Sequence, residues 1–298
     1  MLNIRKSIMR PAAVMLSAVM LVGSSFVSEN NIDSATETEG TTYIKHYYNS
    51  NKPDEEYTLE PIEYSTEFTL SRSIIVGDPR PTIDPPQSMV SISAKISDTK
   101  ASNGTAFIID NNTVMTAAHC LYGKNGFFDI ESLKITANNV SLSPISCHIL
   151  KEFKTISDNS TNPGALDGKQ IHADYAIITV EEDLWDYEML GLGLTTSKII
   201  NNTPVHVMGY NHSFYSNPQL KLSDGKVKSV SNLNYINTDC FVINGTSGGP
   251  LYTKCIINGN AYISVIGVCS GYGSNCYDSF FAEITNEVLQ FAYRNSHL

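Results

Sequence analysis

From Ser88 onward the apolar residues of this chain come in short runs separated by polar, turn-forming connectors, and that pattern restricts the fold more than any other feature. Val90, Ile92, Ala94 and Ile96 alternate with polar residues, the period-two signature of a strand with one buried face. Ala106 to Ile109 form a short apolar run that stops at Asp110-Asn111-Asn112 and resumes at Val114-Met115, as in a hairpin. Further strands are expected at His148 to Leu150, Tyr175 to Val180, Val205 to Met208, Tyr262 to Val268 and Phe280 to Ala282. So many short strands with so little helical periodicity predict an all-β barrel or sandwich. One helix is expected at the end, where Ile284, Val288, Phe291 and Ala292 share a face after Thr285 as cap.

The pattern does not extend to the beginning of the chain. Arg5, Lys6 and Arg10 precede an apolar stretch from Ala12 to Val22 and the small residues Gly23, Ser24 and Ser25, which reads as a secretory signal peptide over residues 1–28. The run is too short for a membrane span, which needs about 20 residues. Residues 29–72 hold ten acids and three bases without sustained periodicity, and read as a weakly structured acidic pro-segment. Arg72, ahead of Ser73-Ile74-Ile75-Val76-Gly77, is a candidate processing site for an activating protease. Residues 73–298 then make one domain, with 20 acids against 14 bases. This acidic balance argues against nucleic acid, whose affinity rests on Lys and Arg displacing counterions from phosphates. Secretion would leave the mature form extracellular and free of the membrane.

All six cysteines, Cys120, Cys147, Cys240, Cys255, Cys269 and Cys276, lie in that domain. In an oxidising compartment an even count reads as a disulfide framework. Six cysteines allow 15 pairings; proximity favours Cys269 with Cys276 and Cys240 with Cys255, leaving Cys120 for Cys147. There is no CxxC pair, so neither a metal site nor any other cofactor is expected.

Three segments carry chemistry: Thr116-Ala117-Ala118-His119-Cys120, Asp174-Tyr175-Ala176-Ile177-Ile178-Thr179-Val180 and Asn244-Gly245-Thr246-Ser247-Gly248-Gly249-Pro250-Leu251. Each alone has an ordinary structural reading, as a core histidine, a strand cap or a turn. Together they supply a nucleophile, a base and an orienting carboxylate. A serine hydroxyl needs an adjacent base to take its proton, imidazole can accept and return it, and a carboxylate behind the ring holds the tautomer. The catalytic set expected is therefore His119, Asp174 and Ser247. Gly245 and Gly248 permit the tight bend that aims backbone N–H groups at a developing oxyanion. The N–H groups of Gly245 and Ser247 are the expected donors.

These motifs, in the order His, Asp, Ser, resemble the chymotrypsin-like serine proteases. Val205-His206-Val207-Met208-Gly209-Tyr210, Gly225-Lys226-Val227 and Val265-Ile266-Gly267-Val268 extend the likeness to the secreted bacterial glutamyl endopeptidase branch, from about Ile74 to Leu298. The resemblance implies two packed antiparallel β-barrels with the active site between them, hydrolysis of protein or peptide substrates through an acyl-enzyme on Ser247, and an edge strand at Ser270, Gly271 and Tyr272 that pairs with the substrate backbone. It also places Cys269 and Val242 in the specificity pocket, where that branch carries a histidine and a threonine. With Phe241 and Ile243 they suggest an uncharged pocket. Thr246 stands where trypsin-like enzymes carry the aspartate that pairs with the new amino terminus, so that ion pair does not form here.

Two other readings are weighed. Gly245-Thr246-Ser247-Gly248-Gly249 also fits the GxSxG elbow of α/β-hydrolases, but that fold needs the order Ser, acid, His. A protease-like fold used only for binding or adhesion remains the alternative, and the complete His, Asp, Ser set argues against it.

Overall fold

A computed structural model describes residues 46–49, 52–58 and 87–296, apart from 98–99, 124, 161–167, 188, 194–200, 212–218, 258–259 and 274–276. The expected signal peptide, the Arg72 processing site and Cys276 lie outside the described residues.

The strands run in chain order β1 (His46–Asn49), β2 (Lys52–Thr58), β3 (Met89–Ser97), β4 (Lys100–Asp110), β5 (Thr113–Thr116), β6 (Tyr122–Gly123), β7 (Gly126–Phe127), β8 (Lys134–Ala137), β9 (Val140–Leu142) and β10 (Pro144–Leu150). Helices α1 (Lys151–Asn159) and α2 (Gly168–Ile171) come next. They are followed by β11 (Ala176–Val180), β12 (Pro204–Asn211), β13 (Gln219–Ser231), β14 (Tyr235–Thr238), β15 (Pro250–Ile257), β16 (Asn260–Tyr272), β17 (Ser279–Glu283) and the terminal helix α3 (Asn286–Ser296).

Two β-units result. The first is a curled sheet in the order β2-β1-β10-β11-β5-β4-β3-β8-β9, and the second is a closed barrel in the order β12-β13-β14-β17-β16-β15. This is the expected all-β, two-barrel architecture with a C-terminal helix, although only the second unit closes its ladder. In β3 the alternating Val90, Ile92 and Ala94 are buried as period two requires, whereas Ile96, expected on the same face, is 50% exposed at the register shift between Lys95 and Ser97. The β4–β5 hairpin turns at the expected Asn111-Asn112. In α3 the Val288 N–H bonds to Thr285 Oγ1, and Val288, Leu289, Phe291 and Ala292 are buried.

The structure corrects two expectations. Part of the acidic segment is regular: β1 and β2 form an antiparallel ribbon, and β1 pairs with β10 through Tyr47↔Leu150, Tyr48↔Ile149 and Asn49↔His148. The ladder on β10 is a long-range contact, so no local periodicity announces it. The disulfide framework also fails, because Cys120, Cys147, Cys240 and Cys269 are all buried free thiols. None of the three expected pairs therefore forms. Cys120 and Cys147 pack in the first core, Cys240 and Cys269 in the second, each filling space as a small apolar side chain. Burial pushes the Cys240 thiol up to about 11 and that of Cys269 well above its ordinary value, which keeps both protonated.

Candidate active site

His119 sits in a short 3₁₀ turn (Ala118–Cys120) just after β5, and Asp174 lies immediately before β11. Antiparallel pairing of β11 with β5 aligns Ala176 with Thr116, which brings the two chain ends together from 55 residues apart. The Asp174 carboxylate is fully buried and receives three donors: the His119 backbone N–H at 2.9 Å, His119 Nδ1 at 2.7 Å and the Ser270 hydroxyl at 2.5 Å. Because a carboxylate only accepts, this geometry assigns the ring proton to Nδ1 and leaves the Nε2 lone pair outward. Burial alone would lower the His119 pKa, but the adjacent Asp174 charge and hydrogen bond override it and hold it well above 6.5.

Ser247 comes from the loop between β14 and β15, on the second barrel. The loop crosses to the first sheet through Thr105: its N–H bonds to the Ser247 carbonyl at 2.7 Å, and its hydroxyl donates to the Gly245 carbonyl at 2.7 Å. The same hydroxyl accepts the Tyr210 N–H at 2.8 Å, so one side chain ties both barrels to the Ser247 loop. Gly248 has φ +81°, and a Cβ there would collide with the Thr105 carbonyl and the Thr116 hydroxyl. Only glycine fits that close approach. Gly245 has φ +98°, the bend expected of it. Thr246, Gly248 and Gly249 spend their N–H groups on Ile243, Cys269 and Thr246 carbonyls, whereas no bond among the described residues uses those of Gly245 and Ser247.

His119 and Ser247 meet around Cys120, whose Sγ lies 3.8 Å from His119 Nε2 and 3.8 Å from the Ser247 carbonyl. No direct bond from the Ser247 hydroxyl to His119 is made among the described residues. Such links in an unoccupied site are often long and tighten with substrate.

A family model for the trypsin-like peptidase domain matches residues 104–255, about half of the chain. The chain belongs to the trypsin-like peptidase family. Solved structures similar to this peptidase include a Glu endopeptidase in complex with MPD, at 16% identity and a TM-score of 0.56, covering 76% of this chain and 96% of that one. Protease Anisep from Arthrobacter nicotinovorans matches at 18% identity and a TM-score of 0.53, covering 71% and 96%. At these identities the likeness shows the fold alone. No curated protein matches the peptidase in sequence. As a family member, it is a serine endopeptidase acting on protein or peptide substrates.

The remaining expected site residues of the peptidase are placed as follows. Ser270, expected in the edge strand that pairs with the substrate backbone, turns its hydroxyl onto Asp174 and is 2% exposed. A bulge in β16 between Cys269 and Gly271 allows this turn, because an extra residue re-aims the neighbouring side chain. Val242 and Cys269, placed in the specificity pocket by resemblance, are 1% and 0% exposed and pack among Val205, Ile236 and Phe281 in the second core. Phe241 and Ile243 face a separate cavity of about 300 Å³ with Val207, Leu222 and Thr246. Gly271 and Tyr272 remain at the open edge. The other described histidines have structural partners: His148 with Ser146, His172 with Glu152 and His206 with Asp224. Thr105 was not legible in advance, since it is one polar residue in the Gly104-Thr105-Ala106-Phe107 run and its partners lie 105 to 142 residues away.

Proposed function

We propose that this peptidase is exported, that residues 1–28 and 29–72 are its signal peptide and pro-segment, and that the mature enzyme hydrolyses peptide bonds with Ser247 as nucleophile. The single observation that carries the assignment is the short bond from His119 Nδ1 to the buried Asp174, which leaves Nε2 as the basic atom. In the proposed cycle Ser247 Oγ attacks the scissile carbonyl carbon while its proton passes to His119 Nε2. The carbonyl oxygen takes up negative charge against the Gly245 and Ser247 N–H groups. Collapse breaks the C–N bond, His119 returns the proton to the leaving amine, and the acyl group stays on Ser247. Water then attacks the acyl-enzyme by the same route in reverse, giving the carboxylic acid and free Ser247. Asp174 holds the ring and balances the transient imidazolium.

Thr246 supplies no carboxylate for a new amino terminus, so processing after Arg72 would act by removing the acidic segment or by placing the Ser73 or Ile74 amino group near the pocket. The fully formed His119–Asp174 pair favours turnover over the alternative of a silent binding module. Hydrolysis of a labelled casein tests the reading: Ser247→Ala should lose nearly all activity while its circular dichroism stays that of the parent. Equal rates in parent and variant would overturn it.

A further inference from the structure

The Tyr272 side chain bridges to the loop that precedes Ser247, and this bridge bears on which bonds the enzyme can cut. Strand β16 lies directly beside that loop, through Gly248 N–H to the Cys269 carbonyl at 2.7 Å and Cys269 N–H to the Gly249 carbonyl at 2.8 Å. Two residues past Ser270, Tyr272 reaches back and donates its hydroxyl to Asn244 Oδ1 at 3.2 Å. Asn244 is the residue before Gly245, one of the two proposed oxyanion donors. A peptide whose carbonyl points at those donors, and whose backbone runs along Ser270 to Tyr272, must pass its acyl-side side chain between Asn244 and Tyr272. The bridge spans that gap.

The surroundings of the gap narrow the choice of side chain. Among the described residues, Val242 and Cys269 pack in the second core and Phe241 and Ile243 line the cavity with Val207 and Leu222, so these four side chains are engaged elsewhere. Just past Tyr272, where the Gly273 N–H bonds to the Asp278 carbonyl, the Asp278 carboxylate is held by Lys228 Nζ at 3.2 Å and Asn237 Nδ2 at 3.0 Å, a pairing that balances its charge. Tyr272 itself is 39% exposed, so its ring stands at the mouth and does not belong to the core. A single exposed hydrogen bond is readily exchanged for one to water. The bond therefore only orients the ring, and the bulk of the ring is the barrier.

We propose that Tyr272, positioned by Asn244, sets the size limit of the acyl-side residue and restricts cleavage to bonds that follow small uncharged side chains. The inference rests on the active-site reading above. It is tested with peptides that differ only in that residue, as Ala, Phe or Glu, by measuring kcat/KM for the processed parent, Tyr272→Phe, Tyr272→Gly and Asn244→Ala. An active-site titrant that acylates Ser247 corrects every rate for the folded fraction. The parent should favour Ala over Phe and over Glu by about tenfold or more, a discrimination within the reach of side-chain fit. Tyr272→Gly should raise the Phe to Ala ratio about tenfold. Tyr272→Phe and Asn244→Ala, which free the ring but keep it, should raise that ratio by a smaller factor. A parent that prefers Phe or Glu, or a Phe to Ala ratio unmoved in Tyr272→Gly, overturns the size limit while Ser247-dependent cleavage leaves the active-site reading standing. Cleavage that survives Ser247→Ala, or no cleavage by the parent, overturns both.

Discussion

At the scale of the residue, His119 and Asp174 form the most informative pair in the molecule. The base must be neutral to accept a proton, and its pKa stands well above 6.5 because the Asp174 carboxylate faces Nδ1. Activity should therefore rise with pH on a limb centred above pH 6.5. Asp174→Asn removes the charge that raises the limb and favours the wrong tautomer. We expect kcat to fall by about 10⁴ and the ascending limb of kcat/KM to move to lower pH. A pH–rate profile of the variant checks both, and an unmoved limb would assign the titration to another group. The motifs around His119, Asp174 and Ser247 stand out in the sequence because each proposed role demands one residue type. Ser270 was legible only as a position on an edge; the bulge that turns its hydroxyl onto Asp174 has no signature in the residue order.

At the scale of the element, strands and the terminal helix followed from periodicity, and the helix shows why. Thr285 precedes the first turn of α3 and its hydroxyl accepts the Val288 N–H, satisfying one of the donors a helix start leaves open. The buried face then places Phe291 edge-on against Tyr175, with ring centres 5.3 Å apart, directly beside Asp174. Thr285→Ala should cost about 1 kcal/mol of stability. It should lower the urea midpoint without changing the slope, and a midpoint equal to the parent's would show that the cap contributes nothing. Elements made by long-range pairing were not legible. The β1–β2 ribbon exists because the edge of β10 offers unpaired backbone groups, a circumstance set by a strand about 100 residues further along.

At the scale of the whole molecule, two features couple fold to site. Thr105 on the first sheet holds the Gly245 carbonyl of the second barrel, so Thr105→Val leaves a buried carbonyl and the Tyr210 N–H without their partner. The expected destabilisation is about 1 to 3 kcal/mol. Because Gly245 is also a proposed oxyanion donor, kcat should fall with KM little changed; steady-state kinetics and thermal melts separate the two effects. The second feature is the pH dependence of folding. His148 is buried beside Ser146, and burial lowers its pKa to about 4. The unfolded chain takes up the proton first, so stability should decline as pH falls from 6.5 towards 4, by up to about 3 kcal/mol. His119 acts in the opposite sense: its raised pKa contributes stability below 6.5 that is lost as pH rises through the folded value. His148→Gln should flatten the acid side of a melting-temperature profile between pH 4 and 6.5, and a slope equal to the parent's would exclude His148 as the cause.

The sequence by itself determined the all-β class, the terminal helix and the three motif segments, because strand alternation, capping and nucleophile chemistry are local demands on residue type. Only the tertiary structure decided which cysteines stay apart, which of Val242, Cys269, Ser270 and Tyr272 are buried, and how the Ser247 loop is tied to the first sheet. Those outcomes depend on contacts between segments from 28 to 140 residues apart, and on a register shift in β16 beside Ser270. Free thiols in two cores, a serine turned onto Asp174 and a tyrosine bonded to Asn244 are consequences of packing, which no one-dimensional pattern encodes.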